Sequence, residues 1–189
     1  MKSQKEDRSL EETFLRREEI FDGKIVHLVR DTVLLPNKHT ATREVVLHLG
    51  AVVIVPLFPD GSVLMERQYR YAQGRIMYEL PAGKLDSAGE DPREAAIREL
   101  REETGLQAGK MTSLGSYIPS PAVLGERLGV FLAEDMTEGK NRLDPDEFLY
   151  TERRPLDELV DEVLRGEIED GKTQAALLRV YLLKQRGLL

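Results

Sequence analysis

Three carboxylates sharing one side of a helix constrain this chain more than any other feature. The run Gly83-Lys-Leu-Asp-Ser-Ala-Gly-Glu90 leads through Asp91-Pro-Arg-Glu94 to Arg98-Glu-Leu-Arg-Glu-Glu-Thr-Gly-Leu106. On a helical projection Glu102 and Glu103 fall roughly 60° and 40° from Glu99. Like charges at these spacings disfavour a helix by roughly 0.2–0.5 kcal/mol per pair. A chain that keeps them together is expected to hold something positive there. Hard divalent cations suit such oxygen ligands, and Mg²⁺ takes one or two carboxylates together with substrate phosphates. The plainer alternative is a solvated face with i,i+4 pairs such as Arg98 with Glu102.

The context of the run argues against that alternative. Asp91 is a good N-cap, Pro92 suits the first helical position, and Glu94 at N3 completes a variant of the capping box. Ala95, Ala96, Ile97 and Leu100 give the helix an apolar side, and Gly105 is placed to end it. Leu80-Pro-Ala-Gly83 enters from an extended segment, so the expected order is strand end, loop, acidic helix.

Composition narrows the classes. At 189 residues and 41% hydrophobic, the chain fits one domain of ordinary size with a small N-terminal extension. A net charge of −7 argues against nonspecific nucleic-acid binding, which relies on basic patches. Phosphorylated substrates are also anionic, so bound divalent cations and placed arginines would be needed to accept one. The chain has no cysteine, which excludes disulfides, thiolate nucleophiles and cysteine-based zinc sites. His27, His39 and His48 show no metal-ligand spacing. Met1 to Ser9 is polar and lacks the apolar core of a signal peptide, and Gly50 to Phe58 is too short to span a bilayer. A soluble, cytoplasmic protein with no membrane partner is expected.

Strands are expected at Thr13–Arg17, Lys24–Leu35 and Arg43–His48, with turns at Phe21–Lys24 and Pro36–Thr40. Ala51–Phe58 reads as a buried strand, and the alternating Ser62–Arg70 is expected to pair with it as a hairpin across Pro59–Ser62. Short strands follow at Tyr78–Leu80, Ser113–Ile118 and Glu126–Ala133. Helices are expected at Pro155–Leu164 and Lys172–Gln185. The result is a mixed sheet with helices on its faces.

Arg98 to Leu106 is similar to the second half of the Nudix box, the signature of Nudix hydrolases: Arg-Glu-apolar-any-Glu-Glu-any-Gly-apolar. Glu90 occupies the box's earlier Glu position. Gly83 is one residue further from Glu90 than the pattern has it, a one-residue insertion around Ser87-Ala88, and loops absorb such insertions at little cost. The resemblance extends over about residues 20 to 185 and is strongest to the ADP-ribose pyrophosphatase branch. Arg67-Gln-Tyr-Arg70, Glu79-Leu-Pro-Ala-Gly83, Pro119-Ser-Pro-Ala-Val-Leu-Gly-Glu-Arg127, Asp144-Pro-Asp-Glu147, Pro155-Leu-Asp-Glu-Leu159 and Gly166-Glu-Ile-Glu-Asp-Gly-Lys-Thr173 carry it. Ala122 stands where that branch commonly has Gly.

The resemblance implies an α/β/α sandwich with a mixed sheet at residues 49–189, and a small antiparallel sheet at residues 1–48 through which relatives form homodimers. A three-stranded sheet alone would be marginal, and docking between two copies would bury its apolar face. The implied reaction is hydrolysis of ADP-ribose to AMP and ribose 5-phosphate with two or three Mg²⁺ ions, Mn²⁺ being an alternative. The implied metal ligands are Glu99, Glu103, the backbone carbonyl of Ala82, and Glu102 directly or through water. Arg98 orients these carboxylates, Glu90 is supporting, and Glu126 is the implied general base, although some relatives use a Glu of the box.

Arg70 is expected to bind the diphosphate or terminal ribose, since a guanidinium makes bidentate contacts to phosphate. Arg43 is a second candidate. Ile25 and Glu44 stand where relatives place aromatic rings around adenine. Other nucleotide sugars such as GDP-mannose, or a flavin dinucleotide, would use the same box. A non-catalytic ADP-ribose sensor is a different class of reading, and the retained Glu99, Glu102 and Glu103 speak against it.

Overall fold

The computed structural model describes residues 8–143, 145 and 147–189. Asp144 and Asp146 of the Asp144–Glu147 passage, and the Met1–Asp7 part of the polar N-terminus, lie outside the described residues. Two compact units are present: residues 1–48 with 120–126, and residues 49–119 with 127–189.

In the first unit, strands β1 (Thr13–Asp22), β2 (His27–Leu34) and β3 (Thr40–Leu47) form an antiparallel sheet in that order. The strand β2 alternates, burying Val29, Asp31 and Val33. Asp31 joins this row because Arg17 grips both its carboxylate oxygens, at 2.8 and 2.7 Å. The whole of β1 is exposed, including Phe14, Ile20 and Phe21. Residues 120–126 dock on β3: Val46 N–H donates to Val123 O at 2.8 Å, and Gly125 N–H to Val46 O at 2.9 Å.

The second unit contains β4 (Ala51–Pro56), β5 (Ser62–Arg70), β6 (Arg75–Glu79), β7 (Ala82–Lys84), α1 (Pro92–Thr104), β8 (Gln107–Tyr117), β9 (Leu128–Thr137), β10 (Leu149–Pro155), α2 (Leu156–Arg165) and α3 (Gly171–Gln185). One sheet has the order β7-β4-β9-β8, with β4 and β9 parallel and the other pairs antiparallel. The mixed sheet expected from the sequence is therefore present, and helices cover both of its faces. Side chains alternate across a strand, so the fully buried β4 serves two cores. Val52 and Ile54 pack with Ala95, Ala96 and Leu100 of α1. Val53 and Val55 pack with Leu159 of α2 and Leu177 and Val180 of α3.

The expected hairpin between Ala51–Phe58 and Ser62–Arg70 does not form. Only a bridge at Leu57–Val63 and the bond from Phe58 N–H to Ser62 O at 2.9 Å join the two segments. Both edges of β4 are already hydrogen-bonded, to β7 and β9. After the turn β5 therefore enters a second, antiparallel sheet, between β10 and β6. Val63 and Met65 of β5 face the core of α2 and α3, while Leu64 faces α1. The same alternation turns Glu66, Gln68 and Arg70 toward the α1 side.

Candidate active site

Helix α1 is fixed at both ends by local chemistry. The Asp91 side chain accepts from Arg93 N–H at 2.8 Å. Gly105 takes φ of 77°, a left-handed conformation that favours glycine, and returns its N–H to Arg101 O at 2.9 Å. Glu94 pairs with Arg93 at 3.5 Å, so the helix start rests on Asp91 rather than on a reciprocal capping box. Ala95, Ala96 and Leu100 anchor the buried side and Glu103 is carried inward with them.

Gly83 of β7 lies directly against Glu99. A Cβ built at Gly83 would sit 1.9 Å from Glu99 Cδ and 2.0 Å from its Oε1. The extra residue in the loop is taken up in the turn at Asp86–Glu90, where Glu90 N–H donates to Ser87 O at 3.2 Å and Asp86 N–H donates to Glu90 Oε2 at 2.6 Å. The strand therefore keeps Gly83 on the helix.

Arg98 ties the loop to the helix. Its Nη1 donates to Glu99 Oε1 at 2.8 Å and to Glu102 Oε2 at 3.4 Å. Its Nη2 donates to Lys84 O at 3.1 Å and to Glu90 Oε1 at 3.2 Å. The Glu102 bond anticipated one turn on is present, and the shorter bond is to Glu99.

Glu103 is 5% exposed and accepts from Ala82 N–H at 3.1 Å. Burial pushes its carboxyl up to about 10, helped by the charges of Glu66, Glu99 and Glu147, while the Ala82 bond works the other way. Glu66 is 3% exposed, and burial, with the charges of Glu147 and Glu79, raises it to about 8. Its Oε1 is buried and has no hydrogen-bond partner. Burial also raises Glu99, against the opposing pull of Arg98.

The nearby cations are already engaged. Arg70 makes a bidentate pair with Glu79, at 2.6 and 2.8 Å. Lys172 bonds the same carboxylate and, at 3.0 Å, Asp170. Burial opposes the charge on Glu79, but these bonds outweigh it and hold the carboxyl below its usual range. Leu80 N–H donates to Thr173 Oγ1 at 2.9 Å and so fastens the end of β6 to α3.

Among the described residues, no three His, Cys, Asp or Glu side chains form a ready cage for a metal ion. The donor chemistry nonetheless fits a hard divalent cation: carboxylate oxygens are concentrated in a buried place, and one of them is unpartnered.

The structure gathers Arg70, Ala82, Arg98, Glu99, Glu102 and Glu103 in the second unit. The other sequence candidates belong to the first unit. There Arg43 pairs with Glu12 at 3.0 Å, Glu44 with Arg30 at 3.2 Å, and Glu126 with His48 at 3.6 Å, while Ile25 is exposed. Sequence reasoning missed Glu66, Glu79, Lys172 and Glu147. Alternation along Ser62–Arg70 makes Glu66 read as a solvent-side residue. The available signal is a charge that directly follows the apolar Val63-Leu64-Met65 stretch.

A model of the NUDIX domain matches residues 47–179. ADP-ribose pyrophosphatase of Bacillus subtilis (strain 168) is 40% identical over 177 residues, covering 93% of this chain and 95% of that protein. ADP-ribose pyrophosphatase of Mycobacterium tuberculosis is 42% identical over 166 residues, covering 87% of this chain and 80% of that protein. A solved crystal structure of an ADP compounds hydrolase superposes with a TM-score of 0.81 over 95% of this chain and 98% of its own, and at 24% identity this likeness concerns the fold.

Proposed function

The chain belongs to the Nudix hydrolase family, and on that premise we propose that it hydrolyses the diphosphate bond of ADP-ribose, giving AMP and ribose 5-phosphate. The relatives named ADP-ribose pyrophosphatase, similar along most of the chain, support the substrate. The single observation that carries the chemistry is the set of inward carboxylates on α1, the half-buried Glu99 and the buried Glu103, with Gly83 packed on Glu99.

The reading assigns Glu99, Glu103, the Ala82 carbonyl and Glu102 to two or three Mg²⁺ ions, with Mn²⁺ as a substitute. When bound, such ions neutralise charge on the diphosphate and favour ionisation of a bound water. Arg98 keeps Glu99 and Glu102 turned toward one another. The β7 backbone holds Glu103 in place through the Ala82 N–H. Arg70 would give up part of its pair with Glu79 to take a phosphate oxygen, which a guanidinium can do without losing its charge. Arg43 remains a second candidate for the diphosphate or terminal ribose, and Ile25 and Glu44 remain the proposed contacts to adenine.

The attacking water must lose a proton. Glu126 is the base that the family resemblance suggests. Glu147 is a second candidate, supported by the effect of its charge on Glu66, Glu99 and Glu103. The same reading includes a homodimer built through β1–β3, supported by the exposed Phe14, Ile20 and Phe21, and a cytoplasmic location. No helix among the described residues is long and apolar enough to cross a membrane.

Product analysis tests the proposal. ADP-ribose and a panel of nucleotide sugars would be incubated with Mg²⁺ and then with chelator. AMP and ribose 5-phosphate formed fastest from ADP-ribose, and only with metal, is the expected result. Faster cleavage of another panel member would refute the substrate.

A further inference from the structure

Glu66 is the buried acid for which the proposed reaction has no role. It sits at the middle of β5, directly opposite Glu79 on β6 and Thr151 on β10. Two carboxylates directly opposite across a ladder repel one another, and burial in low dielectric sharpens the cost. Cations could relieve it, but Arg70 and Lys172 are both bonded to Glu79. That leaves Glu66 Oε1 buried with no hydrogen-bond partner. A buried acceptor left unsatisfied costs about 1–3 kcal/mol, and more when it is charged. An apolar side chain would fill the site without that penalty, as Leu64 and Met65 do beside it.

The direction of the side chain identifies its neighbours. Leu64, two residues earlier on the same face, packs in the cluster that holds Ala96 and Leu100 of α1. Glu66 continues that face toward the end of α1 that carries Glu103. Among the charges acting on Glu103, that of Glu66 is the largest. Glu66 therefore lies near enough to Glu103 for its charge to act on that carboxylate. Mg²⁺ usually keeps several of its waters, and those waters need acceptors.

We propose that Glu66 is an outer-sphere member of the divalent-cation site, supplying negative charge and a buried acceptor oxygen to water held by a cation at Glu99 and Glu103. The role is positioning rather than catalytic, and it rests on the cation reading given above. Groups of this kind typically change metal affinity by roughly 10–100-fold when removed.

The test is direct Mn²⁺ binding, read from free Mn²⁺ by electron paramagnetic resonance, together with the rise in Tm on adding Mg²⁺. The proteins are the full-length wild type, Glu66→Gln, Glu66→Leu and Glu103→Gln. The leucine variant guards against misfolding caused by a buried amide. Both Glu66 variants are expected to be at least as heat-stable as wild type in chelator. They should bind Mn²⁺ about tenfold or more weakly and show a smaller Mg²⁺-induced rise in Tm. Wild-type Mn²⁺ affinity in both Glu66 variants, with affinity lost in Glu103→Gln, would overturn the Glu66 assignment and leave the box reading standing. Wild-type affinity in all three variants would overturn both.

Discussion

Replacing Gly83 by alanine should separate stability from function. Gly83 does not need its glycine for backbone freedom, since its φ lies outside the left-handed region. It needs it for space. The new Cβ would stand 1.9 Å from Glu99 Cδ and 2.4 Å from Oε2, where contacts under 3.0 Å essentially never occur. The carboxylate must therefore retreat by at least about 1 Å, and a 1 Å misplacement of a reacting group costs about 100-fold in rate. The group that moves is the end of a flexible side chain, so the backbone can stay. The stability at risk is the bond from Arg98 to Glu99, about 1.5–3 kcal/mol for a hydrogen bond to a charged group at most. Gly83→Ala is thus expected to melt within several degrees of wild type while kcat on ADP-ribose falls about 100-fold. Steady-state kinetics at saturating Mg²⁺ and a thermal melt read the two quantities. Wild-type turnover would refute the argument, as would a protein that fails to fold.

Other consequences follow from the same cluster. The carboxyls of Glu66 and Glu103 are raised from 4.5 to about 8 and about 10 in the folded state. Between those limits the native state holds more protons than the unfolded one, so stability falls as pH rises. In chelator, Tm should drop from pH 5.5 to pH 8.5, and the stabilisation by Mg²⁺ should grow over the same range because its ligands must be ionised; a flat or rising Tm in chelator would contradict this. Arg98→Gln removes the bridge between Glu90, Glu99 and Glu102 and should weaken Mn²⁺ binding about tenfold while α1 stays helical by circular dichroism. Comparing Glu126→Gln with Glu147→Gln across a pH–rate profile should show the acidic limb of kcat shifted or lost in one variant alone, which identifies the base.

The parts of the fold legible in the sequence are those set by local chemistry. Helix α1 runs from Pro92 to Thr104 because Asp91 caps it and Gly105 ends it, and both are visible in the letters. The buried β4 is legible because six consecutive positions are apolar or nearly so. The strands β7 and β10 are not. Ala82-Gly83-Lys84 has no strand preference of its own and becomes extended by pairing with β4, while the charged Glu152, Arg153 and Arg154 hide β10, which is fixed by its ladder to β5.

The same division holds at the site. Glu99, Glu102, Glu103 and Arg98 declare themselves by helical spacing. Glu66 and Lys172 do not, because they reach the cluster from other elements. The partner of Arg70 is equally silent in the sequence, since Glu79 meets it through the β5–β6 ladder.

The most direct measurement of the central claim is the Mg²⁺-dependent turnover of ADP-ribose by Glu103→Gln, made beside its melting temperature in chelator. The buried acid is replaced by a neutral group of the same shape, so the fold should be retained and the metal-free Tm should equal or exceed that of wild type. If α1 holds the catalytic cations, turnover falls by about 100-fold or more and is not restored by excess Mg²⁺. Near-normal turnover in a folded Glu103→Gln protein would contradict the account.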